Sequence, residues 1–131
     1  MAGSRFQKAV RERLNLRMAI DGPSGSGKSY TAQRIAMLLA QEYGTKVALI
    51  ESENRSARKY IGEAPDGVPF EFDDLCLSSY SPTEYTAAIE EAGAAKYGVL
   101  VIDSLSHVWT GKDGALELVD KQGKNKFTDG W

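Results

Sequence analysis

The chain has 131 residues, of which 42% are hydrophobic and 26% are charged. This composition is typical of one globular domain and excludes a disordered or low-complexity chain. Its single cysteine, Cys76, excludes an intramolecular disulfide and favours a reducing compartment. No apolar run approaches the ~20 residues of a membrane span, and the sequence opens without a secretory signal, so we expect a cytoplasmic protein with no membrane partner.

The formal net charge of −2 is distributed unevenly along the chain. Residues 1–34 carry a net +5 and residues 35–103 a net −7. Apolar residues recur every three or four positions over residues 5–14, which predicts a short amphipathic helix. We therefore expect a basic N-terminal helix or leader over residues 1–14 and a core over residues 15–131. The basic segment is either a solvated helix face or a contact for nucleic acid.

The first part of the core is predicted to contain a strand, a loop, a helix and a second strand. Leu16–Ile20 alternates weakly before a turn, which is typical of a strand. A helix is predicted from Lys28, with Gly44 ending it, and Lys46–Glu51 has the apolar run of a buried strand. The predicted apolar face of the helix consists of Ala32, Ile35, Ala36, Leu39, Ala40 and Tyr43.

The clearest helix start in the sequence is Ser81, which is followed by Pro82 at the first helical position and by Glu84 in a capping box. The apolar face of this helix is predicted to be Tyr85, Ala88, Ile89 and Ala92. Before this helix, the sequence predicts a helical turn over Ser56–Ile61, a loop over residues 63–67 and an edge strand over Phe70–Leu77. After it, the sequence predicts a fully buried strand over Val99–Ile102, a helix capped by Asp113 that contains Leu116 and Val119, and an irregular segment over Lys121–Trp131. Strands that alternate with helices predict an α/β fold whose parallel sheet is covered on both faces.

Residues 22–29 match the phosphate-loop pattern G-x-x-x-x-G-K-[ST] between the predicted strand and helix. Glycines let backbone N–H groups approach a polyphosphate, and the following helix directs its free N–H groups at the phosphates. Lys28 can reach the β- and γ-phosphates, and the Ser29 hydroxyl can ligate Mg²⁺. The predicted nucleotide-binding residues are Gly22, Pro23, Ser24, Gly25, Ser26, Gly27, Lys28, Ser29 and Tyr30.

Two strand ends supply carboxylates. Asp103 ends the second buried strand, where ligands of open α/β sheets collect, and it is the candidate magnesium partner of Ser29. Glu53 follows the first buried strand and is preferred over Glu51 as the residue that polarises a water for attack on the γ-phosphate. Glu53 and Lys28 are the two predicted catalytic residues. The alternative interpretation of Glu53 is an exposed loop glutamate.

The order of these motifs resembles the RecA-like P-loop ATPase core, a three-layer fold with a mostly parallel sheet. The resemblance rests on the phosphate loop, residues 50–54, residues 57–62, the capped helix and residues 100–105, and it covers about residues 15–110. It is strongest to the AAA-type ATP-binding proteins that phages carry for DNA recombination and replication. The resemblance implies that Glu53 activates water and that Asp103 is the Walker B aspartate. It also implies that the protein is located in the cytoplasm of a bacterium or of a phage-infected host cell.

The resemblance further implies Mg-ATP hydrolysis, single-stranded DNA as a partner and a homo-oligomer with shared nucleotide sites. The segment between Glu53 and Ala57 is shorter than in bacterial recombinases, and no residue matches those that hold the purine. RecA-like domains also continue with a strand that carries a sensor of the γ-phosphate. The sequence after Asp103 does not match that strand, so we expect a fold incomplete at the C-terminus.

Two other functions stay open at this point. A small-molecule kinase uses the same loop, although a water-activating glutamate disfavours it, and a non-catalytic nucleotide-binding or assembly fragment is consistent with the missing sensor strand. His107 is either a packed or solvent-facing histidine or a phosphate sensor. Trp109 and residues 121–127 form either a tail or a DNA-contacting loop. The candidates for an arginine or lysine finger to a neighbour's nucleotide are Arg34, Arg55, Arg58 and Lys59.

Overall fold

The computed structural model describes residues 3, 5–12, 14–62, 64 and 66–126. Its elements are α1 (Lys28–Tyr43), β1 (Val47–Glu51), a 3₁₀ helix (Ser56–Tyr60), β2 (Asp73–Cys76), α2 (Pro82–Ala94), β3 (Val99–Asp103), α3 (Ser106–Thr110) and α4 (Ala115–Lys126). This is a small α/β fold, as the alternation of strands and helices predicted. No helix among the described residues is long and apolar enough to cross a membrane.

The sheet has three parallel strands in the order β2-β1-β3. In the centre of the sheet, Leu49 pairs with Asp74 on one side and with Val101 on the other. Parallel neighbours require crossover connections, which α2 and the irregular segment before β2 provide. The carboxyl ends of all three strands therefore lie at the same edge of the sheet.

Helices cover both faces of the sheet, which confirms the layered architecture. On one face, Ala36, Met37 and Ala40 of α1 pack with Val47 and Phe70. On the other face, the α2 side chains Tyr85 and Ala88 pack with Ile50 and Leu77. Because side chains alternate along a strand, Glu51 and Asp103 belong to the α1 face, whereas Ser52 and Ser104 follow the α2 face.

The N-terminal predictions were wrong. Residues 5–12 and 14 form no helix, and Leu16–Ile20 forms no strand. Leu16 and Met18 are 62% and 57% exposed, so nothing in the described part of the chain covers the apolar side chains that predicted a strand. A strand is stabilised by its neighbours, and a weakly alternating segment without one stays irregular.

The first helix was predicted correctly in extent, and its predicted apolar face is correct in part, since it includes the buried Ala36 and Ala40. It ends at Gly44, whose φ of 61° is left-handed and whose N–H donates to the last turn. The residues it buries are Gln33, Ala36, Met37 and Ala40. Tyr43, which was predicted on the apolar face, is 75% exposed because it lies in the last turn beyond the sheet.

The strands β2 and β3 were also predicted, and β2 is an edge strand as expected. Val99–Ile102 was predicted to be fully buried but is only half-buried. The physical reason is that no described strand pairs with the outer edge of β3.

The C-terminal predictions need two corrections. Residue Asp113 does not cap α4: it lies outside the helix with a φ of 61°, and its N–H donates to the Glu117 carboxylate at 2.6 Å. Residues 121–126 are helical rather than irregular, whereas residues 127–131 lie outside the described chain. The short helix α3 was not predicted.

The local cap of α2 was predicted correctly. The Ser81 hydroxyl accepts a hydrogen bond from the Glu84 N–H at 3.3 Å, and Pro82 occupies the first helical position. Of its predicted apolar face, Tyr85, Ala88 and Ala92 are buried, whereas Ile89 is 43% exposed.

Candidate functional site

The phosphate loop forms a tight backbone turn directly before α1. The Ser26 N–H donates to the Pro23 carbonyl at 3.2 Å. Gly25 and Gly27 have φ angles of 77° and 87°, a left-handed conformation that side chains disfavour. At Gly22, an added Cβ would lie 2.7 Å from the Ser26 Oγ. The conformation of the loop therefore favours glycine at positions 25 and 27, and a side chain at Gly22 would require the Ser26 hydroxyl to move.

The N-terminus of α1 is open to a ligand. Gly27 occupies the N-cap position, no side chain caps the helix, and its first turn contains no acidic residue. The free N–H groups and the positive end of the helix dipole are consequently not satisfied by the helix's own side chains. This is the environment that an anion such as a phosphate occupies.

The two functional side chains of the loop lie at the start of this helix. The Lys28 Nζ donates to the Pro23 carbonyl oxygen at 3.3 Å, so the ammonium group folds back over the loop. Ser29 is half-buried in the same turn. A cation and a hydroxyl therefore lie beside the free N–H groups.

The connection from α1 to β1 places this loop near the strand ends. Only residues 44–46 separate the two elements, and α1 packs along the sheet, so α1 runs opposite to the strands. Its N-terminus therefore lies at the edge where β1 and β3 end. At that edge Glu51 pairs in register with Asp103, on the face that α1 covers.

The three strand-end carboxylates differ in their surroundings. Asp103 is half-buried, Glu53 is exposed in the bend after β1, and Glu51 is only 2% exposed. Glu51 Oε1 has no hydrogen-bond partner, and the other side of the carboxyl group interacts with the Ala57 N–H and with Asp74. Glu51 is thus engaged in the interior, whereas Glu53 is free to approach a solvent-side ligand.

Burial raises the pKa of Glu51 above its usual value of 4.5, and the neighbouring Asp74 carboxylate also raises it, although the Ala57 N–H opposes this shift. Arg58 binds the Asp74 carboxylate through two hydrogen bonds of 2.7 and 2.8 Å and lowers the pKa of Asp74. Glu51 therefore lies beside the Asp74–Arg58 ion pair, where burial and the Asp74 carboxylate favour its protonated form more than in an exposed glutamate.

This arrangement makes stability depend on pH. Between the usual and the raised pKa of Glu51, the folded chain binds more protons than the unfolded chain, so stability falls as pH rises through that window. The Glu51→Gln variant cannot ionise and keeps a donor for Asp74. We expect its free energy of unfolding to exceed that of the wild type at neutral pH by about 1 kcal/mol, and the two to converge below pH 4.5.

Urea unfolding from pH 4 to pH 8 measures this difference. Glu90→Gln, at an exposed position of α2, is the matched control and should follow the wild type at every pH. A Glu51→Gln profile parallel to that of the wild type would contradict the raised pKa.

The four candidates for an arginine or lysine finger differ in the contacts that their side chains make. Arg34 pairs with Asp66, donates to the Val68 carbonyl at 2.8 Å and lies over the Phe70 ring. Lys59 lies 5.0 Å from the centroid of the Tyr60 ring. Arg58 is bound to Asp74. Arg55 is exposed, has a φ of 60° in the loop after Glu53, and acts on the Asp74 carboxylate through its charge.

An aromatic cluster beside the loop was not predicted from the sequence. The Tyr30 ring lies 5.6 Å from the Tyr60 ring and 5.4 Å from the Phe70 ring, and Tyr30 remains 40% exposed. The periodicity of α1 predicted neither this contact nor the burial of Gln33, whose amide atoms have no hydrogen-bond partner in the described structure. The aromatic contact arises from the chain folding back over α1 at residues 60–70.

The C-terminal candidates lie apart from the loop. Trp109 is 58% exposed in α3, and Lys121 binds Asp113 at 3.2 Å and Glu117 at 3.0 Å. Phe127 is outside the described residues. His107 is half-buried against Ser52 and Tyr80, which favours the packed interpretation over an exposed one.

The donor set at the strand ends fits a magnesium ion better than a metal held by protein alone. Mg²⁺ typically binds one or two carboxylates together with substrate phosphates and water. The residues that fit are Ser29 and Asp103, and the partnerless Glu51 Oε1 adds unsatisfied acceptor capacity at the same edge. Among the described residues, no group of three or more His, Cys, Asp or Glu side chains could hold a metal, and Cys76 is a free, half-buried thiol.

In comparison with known protein families, a family model described as an AAA domain matches residues 14–131. No curated protein and no solved structure matches the chain. The matched residues include the phosphate loop and the ends of β1 and β3.

Proposed function

The chain belongs to the AAA domain family, a family that indicates nucleotide-binding ATPase activity, and we propose that it binds Mg-ATP at residues 22–30 and hydrolyses it. The observation that carries the proposal is the open N-terminus of α1, with Lys28 and Ser29 in its first turn, at the sheet edge where Asp103 ends β3. A phosphate chain at this helix end would contact backbone N–H groups and the Lys28 ammonium group, and it would lie at the sheet edge that carries the Asp103 carboxylate.

Each residue has one role in this proposal. Backbone N–H groups of the loop bind the phosphate oxygens, and the Lys28 ammonium exchanges its contact with the Pro23 carbonyl for the β- and γ-phosphates. Ser29 and Asp103 hold the magnesium ion, which when bound neutralises the phosphate charge. Glu53 accepts a hydrogen bond from the attacking water and orients it.

Two further features are proposed for the whole protein. The exposed segment of residues 5–12 contains Arg5, Lys8 and Arg11 with an aromatic residue, Phe6, which suits single-stranded DNA. We therefore propose a role in phage-type DNA recombination or replication. We also propose a homo-oligomer in which a neighbour completes the nucleotide site, with Arg55 as the residue that is exposed and free to reach it.

Steady-state phosphate release from Mg-ATP tests the function, with and without single-stranded DNA. We expect release by the wild-type chain and a further increase with DNA that declines as salt is raised. A folded chain that binds Mg-ATP and releases no phosphate would instead support the non-catalytic nucleotide-binding alternative. Labelled phosphate that appears on an organic acceptor would support the small-molecule kinase.

A further inference from the structure

A polar network joins the ends of β1 and β3 on the sheet face opposite the phosphate loop. We call it the strand-end network; it comprises Ser52, Tyr80, Tyr85, Ser104 and His107. Neither the phosphate loop nor the proposed water-orienting step uses any of these residues. Ser52 stands between Glu51 and Glu53, and Ser104 directly follows Asp103.

Ser52 lies at the centre of the network and uses every polar group it has. Its N–H donates to the Asp103 carbonyl at 3.0 Å, and its carbonyl accepts from the Tyr80 hydroxyl at 3.1 Å. Its Oγ accepts from the Ser104 N–H at 3.1 Å and lies 2.8 Å from the His107 Nδ1. At 6% exposure, water does not compete for these bonds.

The geometry assigns the proton positions of this pair. Because the Ser52 Oγ accepts from the Ser104 N–H, its own proton can go to the His107 Nδ1 at 2.8 Å or to the Asp103 carbonyl at 3.5 Å. The shorter contact is the stronger hydrogen bond. We assign Ser52 as the donor to Nδ1, which places the imidazole proton on Nε2; in the reverse arrangement Nδ1–H would donate to the second lone pair of Oγ.

The His107 ring is held in place from its other side. The Tyr80 ring lies 4.8 Å away, and the same Tyr80 donates to the Ser52 carbonyl, which closes a cycle of three residues. Gly111 makes this approach possible, because an added Cβ would lie 2.6 Å from the Tyr80 ring and 2.6 Å from the His107 carbonyl. The orientation of the imidazole is thus fixed by packing as well as by hydrogen bonding.

We propose that Ser52 and His107 are positioning residues that fix the spacing between Glu53 and Asp103, so that one Mg-ATP meets both carboxylates. Their hydrogen bonds act on the backbone immediately before Glu53 and immediately after Asp103, and the side chains themselves lie on the α2 face, away from the ligand. This inference rests on the proposed function. It predicts that the pair affects the hydrolysis step and the magnesium-dependent part of binding, and leaves magnesium-free nucleotide binding unchanged.

The test compares Ser52→Ala and His107→Leu with His107→Asn, which restores an acceptor near the Nδ1 position. Ser78→Ala, at an exposed serine outside the network, is the matched control. For Ser52→Ala and His107→Leu we expect kcat to fall about tenfold or more, because small misplacements of reacting groups are costly. The ratio of the ATP Kd without and with Mg²⁺ should fall about threefold or more. His107→Asn should restore most of the wild-type kcat and most of the wild-type ratio of the two Kd values.

A second readout does not depend on activity. His107 is the only histidine in the chain, so its ring nitrogen NMR signals are assigned without ambiguity. We expect the Nε2–H tautomer in the folded wild type, with an Nδ1 signal shifted by the hydrogen bond that it accepts from Ser52, and loss of that shift in a folded Ser52→Ala variant. An Nδ1–H tautomer in the wild type would overturn the network as assigned.

The outcomes separate this inference from the proposed function. A wild-type chain that binds no nucleotide overturns both. A wild-type chain that hydrolyses ATP while a folded Ser52→Ala variant keeps the wild-type kcat and magnesium dependence overturns the positioning role alone.

Discussion

Replacing Lys28 with alanine or methionine should lower the affinity for Mg-ATP by about 100-fold or more, which corresponds to ~2.7 kcal/mol. The reason is that the Lys28 Nζ is the ammonium group that folds over the loop, where it meets only the Pro23 carbonyl at 3.3 Å. A hydrogen bond to a charged group contributes ~1.5–3 kcal/mol, and the Coulomb attraction to a polyphosphate adds to it. Lys28→Met keeps most of the apolar stem and removes the charge alone.

Calorimetric titration with a slowly hydrolysed ATP analogue and Mg²⁺ measures this loss. Lys46→Ala is the matched control, because Lys46 is exposed at the opposite end of the sheet, just before β1. We expect the control to bind as the wild type does. The wild-type affinity should also weaken more steeply with salt than that of Lys28→Met. An unchanged affinity in a folded Lys28 variant would contradict the assignment of the loop.

The parts of the fold that the sequence predicted are those with local causes. Gly44 ends α1 because its left-handed φ suits glycine, and Ser81 caps α2 through a hydrogen bond three residues away. The phosphate loop likewise depends on glycine conformations within eight residues. Such signals are complete in a short stretch of sequence, so they could be identified without knowledge of the tertiary structure.

The failures have non-local causes. Whether Leu16–Ile20 forms a strand, and whether Val99–Ile102 is fully buried, depends on strands that lie beside them, and alternation within a segment does not reveal its neighbours. Burial of Gln33 depends in the same way on the sheet beneath α1. The start of α4 was misassigned because Gly114, rather than the polar Asp113, directly precedes its first residue.

The candidate site shows the same division. The sequence predicted the loop, Glu53 and Asp103 as candidate site residues, but not the strand-end network, because Ser52 and His107 are 55 residues apart. It also did not distinguish the surroundings of Glu51 and Glu53. Alternation assigns Glu51 to the α1 face, and only the folded chain shows that Asp74 and the Ala57 N–H interact with it there.

Replacing Glu53 with glutamine should lower kcat for ATP hydrolysis by about 100-fold or more, the contribution of a positioned general base, while the affinity for Mg-ATP changes little. Glutamine has the same shape but no negative charge to accept a proton from the attacking water. Glu53 fits this role because it is exposed in the bend after β1, whereas Glu51 is buried and engaged with Asp74.

Single-turnover phosphate release at saturating Mg-ATP distinguishes the two glutamates. Glu90→Gln controls for the loss of one surface charge and should match the wild type. Glu51→Gln should retain hydrolysis within a few-fold, because Glu51 is buried and interacts with Asp74 and the Ala57 N–H rather than with solvent, and glutamine keeps the shape of the side chain. If Glu51→Gln abolished release and Glu53→Gln did not, the water-orienting role would belong to the buried carboxyl at the end of β1, directly beside Asp103 in the sheet.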